Sequence, residues 1–165
     1  MMGIKVLLAL HLLMGVEGVP YDLQSAIILK SLPYVLNFEK KEEIVIGFLG
    51  EEKKELISLF RDKKAGEKPV KTVEVKKIEE IKGIDVLVLL PGVKDGELDR
   101  IIKKTRENKI FSITMINPER FVKKGISMGI TVEGGKPRII INPEGIREEE
   151  ISLDARFLKL VKLIE

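Results

Sequence analysis

Three runs of strand length dominate the sequence, because nearly every residue in them is apolar. They occupy positions 44–49, 84–90 and 110–116 and are rich in Ile, Val and Leu. Strands that are buried on both faces show such continuous runs, whereas strands with one solvent-exposed face alternate apolar and polar residues. Amphipathic stretches of helix length, at 51–61 and 95–109, separate the runs. This alternation predicts an α/β domain whose mostly parallel sheet carries helices on both faces.

The C-terminal third adds a different signal. Two apolar segments, 126–132 and 138–142, flank a turn sequence with two adjacent glycines, Gly134 and Gly135. Adjacent glycines between two apolar runs favour a tight antiparallel hairpin. Apolar residues then recur at helical spacing across 143–165, which predicts a final helix. The predicted fold class is therefore α/β, with a mixed, mostly parallel sheet, helices on both faces and a C-terminal antiparallel hairpin plus helix.

Three further elements complete the predicted order. A helix is expected over 21–37, distorted near Pro33, because proline cannot donate a mid-helix hydrogen bond. A strand is expected over 70–75, where apolar and polar residues alternate. A short helix is expected over 118–123, ended by Gly125.

The first eighteen residues have the pattern of a secretory signal. One basic residue, Lys5, precedes an apolar stretch over 6–14, and small residues precede a predicted cut after Gly18. The apolar stretch is shorter than the roughly 20 residues needed to span a bilayer. We therefore expect a signal peptide over 1–18, export of the mature protein and a single domain over 19–165. The alternative is that the first eighteen residues form a buried strand or helix of a cytosolic domain.

Composition excludes several classes of enzyme and site. The chain has no cysteine, and its single histidine, His11, lies in the predicted signal peptide. A mature chain without either residue type has no Cys nucleophile, no Ser–His–Asp triad and no zinc site built from His or Cys. The net charge of +3 is spread along the chain, so no nucleic-acid partner is expected. We expect no enzyme activity, no metal and no cofactor.

Two features resemble catalytic motifs but are incomplete. Gly47 and Gly50 end the first apolar run just before a helix, yet the full glycine pattern of a phosphate-binding turn is absent. Glu51 at the helix start would repel a phosphate, so a tight structural turn is the preferred interpretation. Asp85 stands at the start of its strand, whereas a phosphoacceptor aspartate is needed at the end.

The order and spacing of several residues follow a known family pattern. In the C-terminal third these residues are Phe121, Gly125, Arg138, Ile141, Asn142, Arg147, Arg156, Leu158 and Leu160. Earlier in the chain, the strand that ends at Gly50, the turn over 66–70 and the pair Tyr34-Val35 also match. On these residues the chain resembles the YfiR-like family of exported bacterial proteins over roughly 22–165. It lacks the tryptophan and the paired cysteines that many members carry, so redox control is not expected.

The resemblance implies a periplasmic regulator that restrains a membrane-bound diguanylate cyclase by binding its periplasmic part. Loss of such a regulator would raise cyclic di-GMP and favour biofilm. The resemblance further implies release by an outer-membrane lipoprotein and formation of a homodimer, and some members stand beside sensor kinases instead. Two other interpretations stay open: a periplasmic small-ligand binding module of similar fold, and a cytosolic α/β enzyme.

The candidate partner-binding residues are Arg120 and Phe121. They lie in the turn over 117–125, beside the carboxyl edge of the predicted sheet, where α/β folds commonly carry function. An exposed aromatic next to an arginine is a common interface anchor. The alternative is that Phe121 packs inward and Arg120 is solvated. Asn142, followed by proline, is expected to cap the last helix.

Overall fold

The structure is a computed structural model that describes residues 18–51 and 53–164. The predicted signal peptide therefore lies almost entirely outside the described residues. No helix in the described ranges is long and apolar enough to cross a membrane.

Eight strands form one mixed sheet in the order β2-β3-β1-β4-β5-β6-β7-β8. The five strands from β3 to β6 in this order are mutually parallel, β2 is antiparallel to β3, and β6 and β7 form an antiparallel hairpin. β8 pairs in parallel with β7 and ends the sheet. The strands are β1 Ile44–Leu49, β2 Lys64–Ala65, β3 Lys68–Glu74, β4 Val86–Leu89, β5 Phe111–Thr114, β6 Met128–Glu133, β7 Lys136–Ile141 and β8 Lys162–Leu163.

Among the described residues, six α-helices and four short 3-10 turns precede or connect the strands. The helices are α1 Tyr21–Ser31, α2 Lys53–Ser58, α3 Leu98–Glu107, α4 Pro118–Lys124, α5 Pro143–Glu148 and α6 Ala155–Leu158. The 3-10 turns are Leu32–Tyr34, Leu36–Phe38, Ile78–Glu80 and Asp95–Glu97. α1 ends at Ser31, and the first 3-10 turn begins at Leu32, one residue before Pro33, which agrees with the distortion predicted near that proline.

Side chains from the central strands face two separate cores. On β4, Val88 points to one core and Leu89 to the other, because successive side chains of a strand alternate between faces. The first core is covered by α1, α2 and α6, and the second by α3 and α4. The continuous apolar runs are thus explained by burial on both faces, and the predicted α/β class with helices on both faces and a C-terminal hairpin is confirmed.

The single final helix predicted over 143–165 is wrong in its extent. α5 ends at Glu148, and Glu150 then adopts a left-handed conformation, φ 56°, which no α-helix continues. A new helix starts at Asp154, whose side chain accepts a hydrogen bond from the Arg156 amide at 2.8 Å. The chain then enters β8. Breaks of this kind turn a helical apolar pattern into two short helices and an edge strand.

Candidate partner-binding surfaces

Arg120 lies at the carboxyl end of the parallel strands, on the first turn of α4. Its guanidinium group binds both carboxylate oxygens of Asp95, with Nε–Oδ2 2.8 Å and Nη2–Oδ1 3.0 Å. Both side chains are about half exposed. This solvent-exposed, bidentate ion pair joins α4 to the 3-10 turn before α3.

Phe121 lies in the second core and is fully buried. The Arg120 guanidinium carbon stands 5.6 Å from the centre of its ring, so the arginine covers the aromatic side chain from the solvent side. The alternative left open by the sequence, an inward Phe121, is the one the structure adopts. In this conformation Arg120 is exposed to solvent, and Phe121 lies beneath it in the core.

Replacing Arg120 by alanine is expected to change the free energy of unfolding by less than about 1 kcal/mol, because exposed ion pairs contribute little. Urea denaturation of the wild-type and R120A proteins measures this difference. A loss several times larger would mean that the Arg120–Asp95 pair holds α4 in place.

A second surface was not found from the sequence. Leu158, Leu160 and Leu163 are 42%, 61% and 54% exposed. They lie at the end of α6, in the following turn and on the edge strand β8, and we call them the C-terminal apolar strip. The helical spacing of 143–165 predicted an inward-facing Leu160, and the break into two helices is what turns it outward. Three exposed leucines within six residues of the chain make this strip a candidate interaction site.

The part of the chain that carries this strip, residues 149–164, packs on the domain through Ile151, Phe157 and Val161 of the first core and through the pairing of β8 with β7. We call it the C-terminal segment. Phe157 is buried, and its ring stacks on Tyr34 with 5.3 Å between ring centres. The Arg156 side chain binds Asp154, and this hydrogen bond lowers the pKa of the Asp154 carboxyl to about 2.

Asn37 acts as a clamp on the same segment. Its side-chain amide donates to the Glu150 carbonyl at 2.9 Å, and its side-chain oxygen accepts from the Ser152 amide at 2.8 Å. The Leu36 amide adds a backbone hydrogen bond to the Ser152 carbonyl. One asparagine therefore pairs with two backbone groups of a segment more than a hundred residues away in the chain.

Replacing Asn37 by alanine is expected to lower the free energy of unfolding by about 1–2 kcal/mol, since two backbone groups lose their partner. Thermal and urea denaturation measure the change, and Glu39→Ala, an exposed position in the same turn region, serves as the matched control. An unchanged stability in N37A would mean that water replaces both hydrogen bonds without cost.

The turn after β1 has the structural role predicted for it. The Glu51 amide donates to the Pro91 carbonyl at 2.6 Å and is thus not free for a phosphate. A Cβ atom on Gly50 would stand 2.7 Å from the Leu90 carbonyl oxygen, so only glycine allows the two loops to approach this closely. Over the described residues, no three Asp, Glu, His or Cys side chains come together as a metal site.

A cleft of about 520 Å³ opens at the amino end of the parallel strands. Lys41 and Asp85 line it and form an ion pair, Nζ–Oδ1 2.7 Å, while the Val45 amide donates to the other Asp85 oxygen at 2.8 Å. Lys109 also lines the cleft, and its Nζ lies 2.9 Å from a Glu150 carboxylate oxygen. The cleft thus has charges of both signs around a partly apolar floor.

The fold is that of a small α/β domain, with three exposed leucines near one edge of its sheet. The family model described as YfiR/HmsC-like (DUF4154) matches residues 21–162, and the chain belongs to this family. The YfiR/HmsC-like family is one of periplasmic regulatory proteins. No curated protein matches the sequence.

Two solved structures share the fold. One is an ABC domain in complex with L-Trp from Streptococcus pneumoniae, with 13% sequence identity and a TM-score of 0.57. The other is a conserved domain protein from Vibrio cholerae O1 biovar El Tor, with 11% identity and a TM-score of 0.60. Each match covers 88% of this chain and 60% of the other. The chain therefore spans less than two thirds of these structures, and the likeness concerns the fold.

Proposed function

We propose that this chain is a periplasmic, non-catalytic regulator that binds the periplasmic part of an inner-membrane signalling receptor and restrains it. The receptor in this proposal is a diguanylate cyclase, so the chain lowers cyclic di-GMP and opposes biofilm formation. The observation that carries the proposal is membership of the YfiR/HmsC-like family over 21–162. The proposal includes removal of residues 1–18 as a signal peptide on export, which leaves a single domain over 19–165.

The C-terminal apolar strip supports a binding role. Leu163 lies on the edge strand β8, Leu158 and Leu160 precede that strand, and Lys159 next to Leu160 is exposed. Burial of such leucines contributes free energy to association, while the Lys159 ammonium group favours a partner with acidic residues at the rim. Arg120, paired with Asp95, is a second proposed contact.

Restraint by binding follows from linkage. A regulator that binds the inactive state of a receptor more tightly than the active state shifts the population toward the inactive state. A shift from about 99% active to about 99% inactive requires a roughly 10⁴-fold difference in affinity between the two states. A lipoprotein that sequesters the regulator would reverse the shift by lowering its free concentration, without contact to the receptor.

The test is recovery of the receptor from membranes. The full chain is expressed in the source organism with a C-terminal tag on a long flexible linker, and complexes are purified after detergent solubilisation. We expect one inner-membrane protein with a periplasmic domain to be enriched, and the recovered bait to begin at residue 19 by mass spectrometry. A folded bait that begins at Met1 and enriches no membrane protein would contradict the proposal.

A second candidate function is small-ligand binding in the periplasm. The cleft at the amino end of the strands supports it, because Lys41, Lys109 and Asp85 offer groups for both ends of a zwitterion. A protein of similar fold is described in complex with L-Trp. A ligand that binds the native state raises the melting temperature, and L-Trp is the probe to use. A shift that is lost in Asp85→Asn would favour this candidate, and no shift at millimolar L-Trp would count against it.

A further inference from the structure

Glu149 is fully buried, although it carries an ionisable carboxyl group. It follows α5 and reaches into a polar pocket made by three other parts of the chain. Thr105 comes from α3, Ser112 from β5, and Ser127 from the residues just before β6. A buried carboxyl group of this kind requires full hydrogen bonding, because an unpaired charge in the interior is costly.

Four donors converge on the two carboxyl oxygens. Oε1 accepts from the Ser112 amide at 3.1 Å and from the Ser127 hydroxyl at 2.6 Å. Oε2 accepts from the Ser112 hydroxyl at 2.6 Å and from the Thr105 hydroxyl at 2.7 Å. This number matches the roughly four lone-pair sites of an ionised carboxylate.

The same network also accepts a protonated carboxyl group. The Thr105 hydroxyl lies 3.1 Å from the Ile102 carbonyl as well as 2.7 Å from Oε2. If Oε2 carries a proton, that proton is donated to the Thr105 oxygen, and the Thr105 hydroxyl turns to Ile102. Rotation of one hydroxyl group is therefore enough for the pocket to hold either protonation state with every donor satisfied.

The protonation state of Glu149 is not set by charged neighbours, because the charged side chains around its pocket are paired with one another or exposed. On α3, the Arg106 guanidinium nitrogen lies 3.9 Å from a Glu144 carboxylate oxygen, and Lys109, just after α3, pairs with Glu150. β5 and the residues from 125 to 128 carry no charged side chain, and Lys123 and Lys124 of α4 are exposed. On the element of Glu149 itself, Arg147 lies 3.7 Å from Glu148.

Burial raises the pKa of Glu149 above the ordinary value of 4.5, against the lowering effect of the hydroxyl and amide donors. The folded state therefore holds the proton more tightly than the unfolded or locally opened state. The stabilisation from this proton is fully present below about pH 4.5 and is lost as the pH rises through the folded-state pKa.

We propose that Glu149 is an internal proton-binding site whose occupancy sets how firmly the C-terminal segment is docked on the sheet. Glu149 is the first residue of that segment, and the segment carries the C-terminal apolar strip. Proton release weakens docking, and the population in which the segment is opened rises. That this opening alters receptor binding rests on the proposed function, whereas the proton site itself does not.

Hydrogen exchange of the full chain as a function of pH tests the site. The Ile151 amide bonds to the Ile146 carbonyl and the Asp154 amide to the Tyr34 carbonyl, so both report opening of the segment. After correction for the intrinsic exchange rate, we expect the opening equilibrium to rise about tenfold per pH unit from about pH 4.5 to the folded-state pKa. In Glu149→Gln, which keeps the shape of the protonated group, the opening should not depend on pH in this range.

Glu148→Gln is the matched control, since Glu148 is a partly exposed neighbour, and it should keep the wild-type pH dependence. Ser127→Ala removes one donor to the ionised form and should extend the rise to higher pH. A rise that persists unchanged in E149Q would overturn the proposal. Should E149Q fail to fold, NMR titration of the Glu149 carboxyl carbon in the wild type decides, and a transition at or below pH 4.5 would equally overturn it. Neither measurement requires the receptor. Failure of the proton-site proposal is therefore distinguishable from failure of the proposed function.

Discussion

Replacing Phe121 by alanine lowers the free energy of unfolding by about 3–5 kcal/mol, the range observed when a buried aromatic side chain is truncated. Phe121 is fully buried in the core formed with Ile101 and Ile126. Removal of the ring forfeits its burial and leaves a cavity that α3 and α4 cannot close without shifting. The measurement is urea denaturation at equilibrium, with the midpoint and the slope fitted separately.

The neighbouring substitution Arg120→Ala is the control, because it changes the adjacent position without opening the core. A contrast between the two variants separates the packing role of Phe121 from the surface role of Arg120. A decrease in the free energy of unfolding of less than about 1 kcal/mol in F121A would contradict the buried position. Phe121 would then again be a candidate partner contact.

Replacing Leu160 by glutamate lowers the affinity for the captured receptor at least about tenfold, since a lost apolar contact and a buried unpaired carboxylate together cost more than the roughly 1.4 kcal/mol of a tenfold change. Leu160 is the most exposed large apolar residue of the described chain, so the fold itself should tolerate the change. The added carboxylate also repels the acidic rim proposed for the partner. Titration of the purified periplasmic part of the receptor measures the affinity.

Leu23→Glu is the matched control for this prediction. Leu23 is the same residue type at 41% exposure, but it lies on α1 and outside the C-terminal apolar strip. Equal melting temperatures of the wild type and both variants would show that the fold is kept. Equal losses of affinity in L23E and L160E would refute a role specific to the strip.

The fold class was predictable because the strongest pattern in the chain, continuous apolar runs, has one physical origin in burial on both faces. Residues 44–49 and 84–90 became β1 and β4 at the centre of the sheet. The hairpin over β6 and β7 was predictable from Gly134 and Gly135, which adopt left-handed conformations at the turn. Asn142 caps α5 as predicted, through its side-chain oxygen and the Gly145 amide at 3.1 Å.

The C-terminal segment was not predictable in the same way. Its residues keep a helical apolar spacing, but the break after α5 depends on the left-handed Glu150, a conformation that glutamate rarely adopts. Contacts from distant parts of the chain, such as the Asn37 clamp, maintain the break. The hairpin of β2 and β3 was missed because β2 is two residues long.

The sequence contains part of the information needed to predict the polar pocket around Glu149. Ser112 interrupts the apolar run of β5 and is fully buried, and a buried hydroxyl in such a strand needs a partner. The partner comes from position 149, 37 residues away, so the chain pattern did not identify it. Arg120 was placed correctly at the carboxyl edge, whereas the orientation of Phe121 depends on how α4 packs against α3.

Synthesis of cyclic di-GMP by membranes that contain the captured receptor tests the central claim most directly. Purified chain is added from the periplasmic side of right-side-out vesicles supplied internally with GTP, and product is measured against the concentration of the chain. The account predicts a saturable fall in cyclic di-GMP production, with L160E requiring at least about tenfold more protein than the wild type. Production that stays constant while the wild-type chain is bound to the receptor would contradict it.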